Sequence, residues 1–108
     1  MNLPQATTSP VPQEVSTELQ RVVERWRQLP LDHALSYADR VHALVQSLAD
    51  RVAEAKGIAA SAVPDCGPAT LMDQLTVMVY DASTAAVMSA AGTSTLADDL
   101  ASLRRELV

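Results

Sequence analysis

The stretch LDHALSYADRVHALVQSLADRVAEAKG, residues 31–57, decides how this chain folds. Leu31, Ala38, Val45 and Val52 recur seven residues apart, and Leu35, His42 and Ala49 follow four beyond the first three of them. That spacing predicts a long helix with an a/d seam. Leu44 and Leu48 widen the seam into a stripe suited to the core of a helical bundle. Pro30 suits the first position of such a helix, and Asp32 sits where a carboxylate meets the positive helix end. Gly57 is the expected stop, a left-handed cap. A helix over 31–56 is ~39 Å long, too long to be covered by a single short neighbour.

Upstream, Val15, Leu19, Val22, Val23 and Trp26 form one helical stripe over Glu14 to Gln28, with the charged residues mostly off it. Leu29-Pro30 breaks that helix, because the residue before a proline avoids the α region. Residues 1–13 hold three prolines and little to bury, which predicts a flexible, disordered tail. Downstream, Ile58 to Ala69 form the longest internal connection, with Pro64 and Pro68 near its end. A third helix follows, with Thr70 as its expected cap and Asp73 three residues later. Its apolar residues cover most of the circumference: Leu71, Met72, Leu75, Val77, Met78, Val79, Ala82 and the run through Met88. Ala91-Gly92-Thr93 is expected to end it. Leu96, Leu100, Leu103 and Leu107 then mark a fourth helix. The sequence thus predicts an all-α fold: an up-down bundle of about four antiparallel helices, a tail over 1–13 and one domain over 14–108. The second and third helices are expected to form a central hairpin.

Composition narrows the function. There are 18 Ala and 13 Leu against three aromatic residues and one Ile, a helix-forming balance that leaves no platform for stacking bases. The net charge of −5 argues against nucleic-acid binding. One cysteine rules out an internal disulfide. No basic cluster followed by an apolar run opens the sequence, and Val77 to Gly92 is too interrupted and short to cross a bilayer. The expectation is a cytoplasmic protein with no membrane partner. Seven Arg against one Lys, with the abundant Ala, suggest a GC-rich bacterial genome.

No phosphate-cradling glycine loop is present, and no cofactor is expected. Asp39 and His42 make a single half-motif of the kind that di-metal bundles need in pairs, so no metal is expected either. Four residues are candidates for chemistry. Cys66, between Asp65 and Gly67, would lie near the positive end of the third helix if Asp65 capped it, a placement that favours thiolate. The plainer reading makes it a small residue in a turn. His42 sits at the edge of the core stripe, and could move a proton if it met Tyr80 or Asp81. The plainer reading gives it one hydrogen bond.

The broad apolar surface of the third helix points to a second chain. Met78, Ala82, Ala85, Ala86, Met88 and Ser89 are the expected contact surface of a homodimer. The sequence therefore reads as a self-associating protein-interaction or regulatory module. The alternative is a small enzyme or redox sensor built on Cys66 or on His42, Tyr80 and Asp81.

Overall fold

The computed structural model describes the backbone of residues 11–85 and 90–107, without the side chains of residues 85, 90, 91 and 93. Four helices carry the fold: α1 (Gln13–Gln28), α2 (Leu31–Lys56), α3 (Leu71–Ala85) and α4 (Ala90–Glu106), with a 3-10 turn at Pro68–Thr70 leading into α3. No strand occurs among the described residues. The all-α bundle is thus observed. The tail expectation falls mainly on residues outside the described set; at its edge, Val11 packs against the core and Gln13 already belongs to α1.

Each helix begins and ends for local reasons. Glu14 in the first turn of α1 and Arg25 and Arg27 in its last complement the helix dipole. Leu29 leaves the helix for extended backbone ahead of Pro30. At the far end of α2, Gly57 adopts φ 69°, a left-handed conformation that costs a glycine little. Its N–H donates to the Glu54 carbonyl and the Ile58 N–H to that of Ala53, so two otherwise orphaned carbonyls are satisfied.

One apolar cluster unites the helices. Val15 and Val22 come from α1; Val41, Leu44, Val45, Leu48 and Val52 from α2; Leu71, Leu75, Val79 and Ala82 from α3; Leu96, Leu100, Leu103 and Leu107 from α4. The closest helix pairs are α2 with α3 and α1 with α4.

The directions of these pairs depart from the expected central hairpin. Val45 shares a groove with Gln74 and Met78, Ala49 and Val52 share one with Met78, and Val52 and Ala55 share a third with Ala82. As α2 advances so does α3, and the two helices are parallel. Residues 58–67 make this possible by running back along α2 as a strap: Val63 lies beside Gln46 and His42, well behind Gly57. The six residues 58–63, extended, span ~20 Å, enough to retrace the ~17 Å between Gly57 and Gln46. The helix α4 opposes α2, since Arg51 pairs with Asp99 at 2.7 Å and Arg40 with Glu106 at 2.9 Å. α1 reaches α2 through two residues and holds α4 through Glu18 and Arg104 at 2.8 Å, so α1 and α4 descend together. Two helices rise and two descend.

Three local expectations change with this geometry. Leu31 and Leu35, placed in the core seam, are 74% and 49% exposed. The C-terminal end of α4 lies beside Arg40, so the first turns of α2 extend past it and lack that cover. The buried stripe is centred instead on Val41, Leu44, Val45, Leu48 and Val52. Gly92 lies within α4 and not in the break before it. Thr70 does not cap α3: its hydroxyl donates to the Gly67 carbonyl at 3.0 Å, inside the 3-10 turn.

Candidate functional site

The side chains that bond to the backbone of another element gather where the strap crosses α2 and α3. Gln46 and His42 stand one turn apart on α2, so both reach the same peptide unit. The Val63 N–H donates to Gln46 Oε1 at 2.7 Å. His42 Nε2 lies 3.2 Å from the Val63 carbonyl oxygen, and because a carbonyl only accepts, this ring nitrogen carries the proton. Gln46 Nε2 also donates to the Ser61 carbonyl at 3.1 Å and to Asp50 Oδ1 at 2.9 Å. From the other side, Gln74 of α3 donates to the Pro64 carbonyl at 2.9 Å. Three side chains therefore read the backbone of one extended segment. The Val63 side chain is half-buried and packs against the core.

This clasp gives His42 a structural task. Among the described residues no hydrogen bond or ion pair joins His42 to Tyr80 or Asp81. Tyr80 points outward at 51% exposure, and its carbonyl accepts from the Thr84 hydroxyl at 3.0 Å. The candidate proton-transfer group of His42, Tyr80 and Asp81 is not assembled. No cluster of three or more His, Cys, Asp or Glu suited to a metal occurs among the described residues.

Cys66 is an exposed free thiol. Asp65 does not cap α3. Its Oδ1 accepts from the Gly67 N–H at 3.0 Å, closing a tight turn around Cys66. Gly67 has φ 92°, a conformation other residues avoid, and Pro68 starts the 3-10 turn. That turn separates the thiol from the N-terminus of α3.

The surface expected to pair two chains divides in the structure. Ala82 is buried and Met78 half-buried, both against this chain's own core. Ala86, Met88 and Ser89 lie outside the described residues, as does the side chain of Ala85. The neighbouring face of α3 carries Asp73, Thr76, Val77, Tyr80 and Thr84, all exposed, with Val77 at 54%. The i, i+3 spacing of Val77 and Tyr80 makes them adjacent there. Sequence reasoning missed the clasp because Gln46 and Gln74 belong to no motif; the signal was a long connection beside two helix glutamines.

A cleft of about 320 Å³ lies between α2, α3 and α4, lined by Arg51, Val52, Ala55, Ala82, Gly92, Thr95 and Leu96. Its one charged wall residue, Arg51, is already engaged by Asp99. No helix among the described residues is long and apolar enough to cross a membrane. The chain matches no protein-family model, and neither a curated protein nor a solved structure is similar to it.

Proposed function

We propose that this chain is a self-associating interaction or regulatory module that works as a homodimer in the bacterial cytoplasm. The observation that supports the reading is the outer face of α3, where Val77 and Tyr80 stand exposed side by side on a regular helix. A two-fold pairing of that face covers the same apolar atoms on both copies. An enzyme reading would call for polar groups converging in a cavity. Instead His42, Gln46 and Gln74 are occupied by the strap. A single exposed thiol fits a reducing compartment.

Sedimentation equilibrium tests the proposal. A dimer mass at micromolar concentration is expected, with Tyr80→Asp shifting the chain to monomer. A monomer mass for the unmodified chain at that concentration would sink it. The second reading, a redox sensor, draws on the exposure of Cys66. It requires that oxidation of that thiol change the association state.

A further inference from the structure

The strap is written in the residues of a helix. Ile58-Ala59-Ala60-Ser61-Ala62 follows α2 directly, and only Gly57 stands between them. Alanine is the strongest helix former and glycine among the weakest. Yet residues 58–62 are non-helical and exposed. Among the described residues, the polar hold on 59–64 comes from Gln46, His42 and Gln74. Beyond the Gly57 stop, local preference and tertiary placement disagree, and such a conflict lowers the cost of a second conformation.

We infer that the strap is a two-state element, clasped and extended in the monomer, helical and continuous with α2 in a dimer whose copies exchange their α3–α4 halves. Reach decides the coupling between the two. In the closed chain α3 begins near residues 38–42 of α2, about 25 Å behind Gly57. If residues 58–62 join the helix, the chain advances ~8 Å the other way. The nine chain steps from Ala62 to Leu71 would then have to cover about 33 Å; they span at most ~32 Å fully extended and ~27 Å with the Pro68–Thr70 turn kept. A helical strap cannot leave α3 on its own α2. It delivers α3 and α4 to a second copy, where they rebuild the same core contacts and the pairs of Arg40 with Glu106 and Arg51 with Asp99. The completed exchange costs little apolar burial, because the core contacts of α3 and α4 are rebuilt and Val63 is the one strap side chain packed against the core among residues 58–64.

The inference rests on the self-association reading and supplies its mechanism. Its test is sedimentation equilibrium, with far-UV circular dichroism, on the full chain and three variants. Gly57→Ala removes the helix stop, and Gln46→Ala removes the clasp without touching the stop. Each should tighten the dimer at least about tenfold and add helical signal as it forms. Ala60→Pro blocks a helical strap and removes no backbone hydrogen bond seen in the closed chain, so it should weaken the dimer about tenfold. Dimer constants that agree within about a factor of two across all four proteins would overturn the inference. If Tyr80→Asp breaks a dimer that is indifferent to the strap variants, the α3 face is the interface and the strap is a passive link. If Gly57→Ala associates while the unmodified chain stays monomeric, the strap switch holds and the homodimer proposal falls. If no variant associates, both fall.

Discussion

Leu48 and Val63 belong to one apolar cluster but are held there by different means. Leu48 sits within α2, where the helix satisfies its backbone and the side chain is fully buried. Val63 has no helix to satisfy its N–H and carbonyl, so Gln46 and His42 do it. One residue is secured by packing, the other by a few hydrogen bonds on a half-exposed chain. Burial in the interior is shared among many neighbours and lost cooperatively. The strap can let go while the interior stays intact.

Substitutions should reveal this difference as a gradient. Leu48→Ala or Leu100→Ala removes a fully buried side chain and should cost about 2–5 kcal/mol in urea unfolding. A loss below ~1 kcal/mol would mean that the interior is not packed at these positions. Gln46→Ala leaves the Val63 N–H and Ser61 carbonyl without their partner and should cost about 1–3 kcal/mol. Its signature is local: amide exchange at Val63 accelerates while protected amides at Leu75 and Leu100 change much less. Equal acceleration at all three would erase the distinction between strap and interior.

Smaller effects sharpen the same contrast. Arg40 and Glu106 form a two-pronged pair at 2.9–3.2 Å, but both are partly exposed. A double-mutant cycle on them should give at most about 1 kcal/mol of coupling, falling with salt. A larger, salt-independent value would show a desolvated latch. Alkylation of Cys66 at neutral pH should proceed in the native chain at a rate that denaturant scarcely changes, since the thiol is exposed. A thiol that is inert until unfolding would place this end of the strap inside the protein.

Helix positions were legible because apolar periodicity and Pro and Gly signals are local. The boundaries of α2 and the left-handed Gly57 follow from residues that touch one another along the chain. The buried face of α2 was less legible. Its heptads begin at Leu31, yet burial depends on where α4 stops, and nothing near Leu31 encodes that. Direction was hidden for a similar reason. A connection from Ile58 to Ala69 can close a hairpin or run back along the helix, and the choice rests on Gln46, His42 and Gln74, remote in sequence from one another. At the candidate site, exposure of Cys66 follows from its turn-forming neighbours. The separation of His42 from Tyr80 and Asp81 required the bundle geometry.

The parallel course of α2 and α3 also bears on how quickly the chain finds its structure. In a helical hairpin, contacts near the turn join residues close in sequence, and the pair zips from there. Here Val45 faces Met78 and Val52 faces Ala82, so the sequence separation stays near ~30 residues along the whole contact. No contact is cheap enough to form first. Docking of α3 on α2 therefore closes its loop in a single step, and the α1–α4 pair, joined by Glu18 and Arg104 across 86 residues, closes a longer one still.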